Sequence, residues 1–109
     1  MAKIDILVPC YNSSVTLKKT LLSITKQSFK DFRVILVDNC SVDNSVKIFE
    51  EFNDRRFEVR LHDSHVSLGE SLNRCLSYVE ADFFCIMHAD DEYLDNYLFE
   101  MIFFYEKKS

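Results

Sequence analysis

The chain is predicted to fold as a doubly wound α/β domain with a mainly parallel sheet, strand order 3-2-1-4, and three observations predict it. Apolar runs of strand length alternate four times with stretches whose apolar residues recur at helical spacing. No Asn-Gly, Asp-Gly or Gly-Gly pair marks a hairpin between the runs, so helical crossovers must join successive strands. Polar clusters follow directly on several of these runs, at the edge where open parallel sheets bind ligands.

Ile4 to Val8 reads as the first strand, stopped by Pro9, which cannot continue a central ladder. Cys10-Tyr11-Asn12-Ser13-Ser14 is a polar loop ending in good N-cap residues. Val15, Leu17, Leu21, Leu22 and Ile24 then predict a helix reaching about Gln27. Phe32 to Val37 is a second strand, apolar enough to be covered on both faces. Asp38-Asn39-Cys40-Ser41 closes it, and Val46, Phe49 and Phe52 mark the next helix. Phe57 to Leu61 is a third strand ending in His62-Asp63-Ser64-His65. Leu68, Leu72, Cys75, Leu76 and Val79 form the cleanest helical stripe. Gly69, the one glycine, stands at the start of that helix and suggests a close backbone approach. Phe83 to Met87 is a buried strand that delivers Asp90 and Asp91 to the sheet edge. Leu94 to Tyr105 is the last helix, with almost no polar face, so something must cover it: a further C-terminal half, a second copy of the chain, or a membrane surface.

All 109 residues are expected to form one domain. The formal charge of −5 argues against a nucleic-acid or anionic-membrane surface, and 48% hydrophobic residues with ten Phe promise a real core. Cys10, Cys40, Cys75 and Cys85 show no CxxC spacing; three of them sit in or at the ends of apolar runs and read as small buried hydrophobes, with a reducing, cytosolic setting as the corollary. No signal peptide and no run near the ~20 residues of a membrane span is seen. Arg55, Arg56 and Arg60 are expected to form a solvated face.

If the first strand lies between the second and the fourth, Tyr11-Asn12, Asp38-Asn39 and Asp90-Asp91 converge on one crevice. Tyr11 offers a flat face for a base, Asp38 and Asn39 offer acceptors for ring N–H or ribose hydroxyls, and Asp90-Asp91 suit a cation and sugar hydroxyls. Adjacent carboxylates at such an edge repel unless a hard divalent cation, manganese or magnesium, takes them, and that in turn points to a phosphate-bearing substrate. Cys10 and Cys40, each just past a strand end, should line the same crevice.

Ile6-Leu7-Val8-Pro9-Cys10-Tyr11-Asn12, then Val34 to Ser45, then Gly69 with Asn73, then Ala89-Asp90-Asp91 together resemble the ordered blocks of family 2 glycosyltransferases of the GT-A fold. The resemblance implies inverting transfer of a sugar from a nucleoside diphosphate donor, most often UDP, to an acceptor hydroxyl. It implies nucleotide contacts at Pro9, Tyr11, Asp38, Asn39, Gly69 and Asp90. It also implies a divalent cation at Asp91, with Asp90 and His88 as further candidates. Asn39 and His88 stand where the family pattern has Asp; an amide oxygen still accepts a hydrogen bond and imidazole still ligates manganese. The acceptor, a glycan or a lipid-linked sugar, and the general base belong to a second half that the 109 residues are not expected to contain. The expected setting is cytoplasmic, with a peripheral place at the inner face of the membrane as the alternative. Two rivals are a phospho-acceptor receiver-like domain, which would want acidic residues where Pro9-Cys10-Tyr11 and His62 stand, and a non-catalytic remnant that self-associates through the helix at 94–105.

Overall fold

The computed structural model describes the backbone of residues 2–108 and the side chains of residues 2–102. It contains β1 (Ile4–Cys10), α1 (Leu17–Thr25), β2 (Phe32–Asn39), α2 (Ser45–Glu51), β3 (Phe57–His62), α3 (Leu68–Ser77), β4 (Phe83–Ile86) and α4 (Tyr97–Lys108). The four strands form one all-parallel sheet in the order β3-β2-β1-β4. Fold class and strand order are therefore as the sequence predicts.

The alternation of side chains along a strand distributes the core. Ile4, Ile6, Val8, Val34 and Leu36 face one side of the sheet, where they are buried with Leu17, Leu21 and Ile24 of α1, Phe49 of α2, and Leu98 and Ile102 of α4. Leu7, Ile35 and Val37 face the other side and pack with Cys75 of α3. The buried positions of β1 and β2 are mostly apolar because both faces are covered, with Asp5 a buried exception.

Several expectations are corrected. Pro9 does not stop β1, which continues to Cys10. The Leu7 carbonyl accepts from Met87 N–H, whereas Ile4 N–H reaches Asp31 on the β2 side, so odd-numbered residues of β1 address β4. Pro9 is odd, and β4 ends opposite Leu7, so the missing N–H costs no ladder bond. The fourth strand, at the edge as its predicted order requires, is less buried than its apolar run suggests, with Phe84 47% exposed. In α1, Val15 lies outside the helix and fully in solvent, and the polar Thr20 and Ser23 are buried instead. The stripe of α3 is narrower than its spacing suggests, with Leu68 and Leu76 exposed, because α3 packs mainly on β1 and β2.

The last helix begins at Tyr97 and is one-sided over its described part. Leu98 and Ile102 are buried while Tyr97 and Phe99 are exposed. The side chains of Phe103, Phe104 and Tyr105, which carried much of the all-round apolar expectation, lie outside the described residues.

Arg56 and Arg60 are not freely solvated. Arg56 pairs with Asp54 at 2.8 Å and lies over the Phe32 ring, and Arg60 pairs with Glu58 at 2.9 Å near Tyr78. At the N-terminal edge of the sheet, Asp5 and Arg33 face each other from neighbouring strands and form a bidentate pair.

Candidate functional site

The C-terminal ends of β1 and β2 are held together by their loops. Asn12 N–H donates to Ser41 Oγ at 2.9 Å, and Val42 N–H donates to Asn12 Oδ1 at 2.9 Å. Ser13 N–H reaches Ser45 Oγ at 2.7 Å and Ser14 N–H reaches Asp43 Oδ2 at 3.1 Å. Asn12 and Cys40 adopt positive φ of 46° and 67°, a region Asn tolerates more readily than Cys. Desolvation opposes ionisation of the Asp43 carboxyl, but bonds from Ser45 and Ser14 outweigh it and hold the pKa at about 2. Asp43 and Ser45, part of the family-like block, thus act as loop staples.

A cleft of about 260 Å³ opens beside this seam, lined in part by Pro9, Cys10, Tyr11, Asn39, Ser71 and His88. Tyr11 is 46% exposed and its ring meets that of His65 at 4.2 Å between centroids, tilted by 45°. The Asn39 side chain clasps the opposite wall: Nδ2–H donates to the Val66 carbonyl and Oδ1 accepts from Val66 N–H, each at 3.0 Å. Arg74 donates to the same Oδ1 at 3.2 Å.

Asp38 does not enter this cleft. Adjacent strand residues point to opposite faces, so Asn39 takes the α3 side and Asp38 the α2 side. There Asp38 is 3% exposed, Oδ2 accepts from Ser41 N–H at 3.0 Å, and Oδ1 has no partner among the described residues. It borders a separate cavity of about 600 Å³ with Cys40, Ser41, His62 and Asp63. Cys10 and Cys40 accordingly line different cavities rather than one crevice. Burial, helped by the Asp38 charge, pushes the Cys10 thiol up, and burial raises Cys75 to about 11 and Cys85 to about 12. A thiol reagent at neutral pH should therefore modify Cys40 alone at an appreciable rate, as read by mass spectrometry of the labelled native protein. Comparable labelling of Cys75 or Cys85 would contradict this packing.

Gly69 occupies an ordinary helical position, and a Cβ built there meets nothing within 4 Å. The close approach expected of it is not made by the protein itself. Ser67, which caps α3 by accepting from Glu70 N–H at 3.3 Å, went unread in the sequence although Ser-x-x-Glu is the mark of a capping box.

Asp90 and Asp91 sit exposed in a tight turn after β4, closed by Asp91 N–H to the His88 carbonyl at 3.2 Å. His88 N–H donates to the Tyr93 hydroxyl at 3.1 Å, and that hydroxyl donates to Asp91 Oδ2 at 3.5 Å. Burial, with Asp91 nearby, pushes the Tyr93 phenol up to about 12, so it remains a donor at neutral pH. No three His, Cys, Asp or Glu side chains gather to cage a metal ion among the described residues. The donor set still fits a cation carried by a nucleotide, because magnesium-like ions commonly take one or two protein carboxylates and draw the rest of their shell from phosphate and water. His88 faces the Tyr11 cleft, so that cleft and the carboxylate turn are neighbours.

Comparison with known proteins gives the family and the fold. The family model for glycosyl transferase family 2 matches residues 5–109. A processive diacylglycerol beta-glycosyltransferase of Mycoplasma pneumoniae is 30% identical over 103 residues, 91% of this chain and 30% of that protein. The poly(ribitol-phosphate) beta-N-acetylglucosaminyltransferase TarS of Staphylococcus aureus is 32% identical over 95 residues, 84% of this chain and 17% of that protein. The crystal structure of S. aureus TarS 1-349 in complex with UDP-GlcNAc superposes with a TM-score of 0.90 at 28% identity, over 96% of this chain and 31% of that one. A mannosyltransferase from Pyrobaculum calidifontis, solved with GDP-Man and Mn2+, shares the fold at a TM-score of 0.77 and 18% identity, covering 84% of this chain and 28% of that one. The chain spans under a third of the length of each of these proteins. With its parallel sheet, its cleft at the strand ends and a match over nearly all its residues, the chain belongs to glycosyl transferase family 2, a family of sugar-transferring enzymes.

Proposed function

We propose that this chain is the donor-binding part of an inverting glycosyltransferase that takes a UDP-sugar with manganese or magnesium. The observation that carries the reading is the half-exposed Tyr11 ring at the mouth of a cleft that also touches His88, next to the paired carboxylates Asp90 and Asp91. Tyr11 would stack on the base. Asn39, with Pro9 beside it, would shape the base slot by holding the Val66 wall. Gly69 would leave room over the first turn of α3 for the nucleotide. Asp38, confined to the other face, would contribute by bracing the β2 end rather than by touching the base.

Asp90 would take ribose hydroxyls, and Asp91, with Asp90 and His88 as neighbours, would hold the cation. When bound, the cation would neutralise the diphosphate and so ease its departure. The turn keeps both carboxylates in solvent, ready to accept such a ligand without a large desolvation cost. A general base and an acceptor site are not assigned to these residues. The acceptor is proposed to be a glycan or lipid-linked sugar, in keeping with the lipid named for the M. pneumoniae relative. The setting is proposed to be cytoplasmic at the inner membrane face; no helix of the described residues is long and apolar enough to cross a membrane. Self-association through the last helix is proposed on the exposed Tyr97 and Phe99, with the exposed Leu94 just ahead of it.

Calorimetric titration of UDP with manganese into the chain should give saturable binding that weakens when the metal is chelated. Tyr11→Ala should weaken it by roughly tenfold, since a base on an aromatic ring is worth about 1–3 kcal/mol. UDP binding equal in wild type and Tyr11→Ala would place the base elsewhere.

A further inference from the structure

Helix α1 and the residues at its two ends carry a largely buried polar stripe that the role of a core helix does not require. Thr16, Thr20, Ser23 and Gln27 fall four, three and four residues apart, which is one helical face. Thr20, Ser23 and Gln27 are 1%, 7% and 0% exposed. Polar side chains are rarely buried this way unless each is paired, and all four are paired with one segment. Thr16 and Thr20 hydroxyls reach the Ala89 carbonyl at 2.9 and 3.1 Å, and Thr20 also reaches the Asp91 carbonyl. Tyr93 N–H donates to Ser23 Oγ at 3.1 Å. Gln27 Nε2 donates to the Leu94 carbonyl at 2.6 Å, and Gln27 Oε1 accepts from Leu98 N–H at 2.9 Å.

The stripe therefore holds the backbone from residue 89 to residue 98 from behind, while the side chains of Asp90 and Asp91 are left in solvent on the other side. The only side-chain bond to either carboxylate among the described residues is the long one from Tyr93. Whatever fixes where these carboxylates point must act mainly through the backbone. Thr20 is the one member that reaches the carbonyls on both sides of Asp90.

We infer that Thr20 is the positioning residue for the carboxylate turn, setting it to receive the cation of a bound nucleotide, with Thr16, Ser23 and Gln27 anchoring the flanks. This rests on the proposed donor-binding role. Thr20 touches neither nucleotide nor metal on this reading. It acts by removing the freedom of the turn, so that less order has to be imposed when the ligand arrives.

The test is UDP affinity of this chain with manganese and with chelator, for wild type, Thr20→Val, Thr20→Ser and Thr16→Val. Valine keeps the shape and removes the hydroxyl; serine keeps the hydroxyl. Thr20→Val should lose about tenfold of the metal-dependent gain in affinity, in the range seen when groups orienting metal ligands are removed. Its affinity in chelator should be unchanged, and Thr20→Ser should retain the gain. Amide exchange should quicken at residues 89–93 in Thr20→Val and not in β1 or β2. Thr16→Val, at a half-buried position, should show the same pattern more weakly and serves if Thr20→Val does not fold. A metal-dependent gain that is present in wild type and equal in both valine variants overturns the inference alone. No metal-dependent gain in wild type overturns the metal reading of the site and the inference with it.

Discussion

Asp5→Ala is expected to lower the unfolding free energy by about 3–5 kcal/mol, the cost of leaving a buried ion stripped of its partner. The Asp5 side chain is 2% exposed and that of Arg33 19%. Arg33 Nε and Nη2 reach the two carboxylate oxygens at 3.0 and 2.9 Å. Glu80 and Ala81 N–H add further bonds to Oδ2 at 2.8 and 3.0 Å. Truncation leaves a guanidinium mostly out of water and two amides without an acceptor, while the outer partners Glu58 and Glu80 remain half-exposed or exposed and compensate weakly. For a domain of this size the midpoint of thermal unfolding should fall by roughly 15 °C or more. Urea unfolding of the two proteins gives the free energy directly, and a loss under about 1 kcal/mol would refute the account.

The same pair sets an acid limit. Burial raises the Asp5 carboxyl, yet the Arg33 guanidinium and the two amides outweigh it, and the net displacement is downward from 3.8. A carboxyl with a depressed folded-state pKa contributes stability that is complete above its unfolded value and is lost as pH falls through the folded one. The wild type should therefore lose stability on acidification below 3.8, and Asp5→Ala should show less of that slope.

Asp91→Asn is expected to abolish most of the metal-dependent binding of UDP while leaving the fold intact. Losing a group that merely orients a metal ligand costs 10- to 100-fold, so losing the ligand's charge should cost about 100-fold. Asp91 is exposed, so the substitution should move stability by no more than about 0.5 kcal/mol. Titration with manganese and UDP, run beside a urea melt, separates the two effects. Retention of the full metal-dependent affinity would move the cation away from this turn.

Much of the architecture was legible because buried parallel strands leave a plain signature. Apart from Asp5 and Arg33, the runs Ile4 to Val8 and Phe32 to Val37 are apolar on both faces, and covering both faces is what a doubly wound sheet demands. The pairing of Asp5 with Arg33 was not legible, because it depends on the register of two strands nearly thirty residues apart. The polar stripe of α1 was present as a spacing, but a spacing of Thr, Ser and Gln acquires meaning only from the carbonyls it meets.

From its residues alone this chain determined that polar clusters would end its strands, that the strands would run parallel, and that paired carboxylates would emerge after the last of them. Those are consequences of local pattern and chain order. Tertiary structure decided which side of the sheet each side chain serves. It sent Asp38 and Asn39 to opposite faces, let Pro9 sit inside a strand whose neighbour had already ended, and turned the buried face of α1 into the support for Asp90 and Asp91. The reason is that hydrogen bonds and burial are properties of pairs: each depends on where a distant partner comes to rest, and that is settled only when the layers pack.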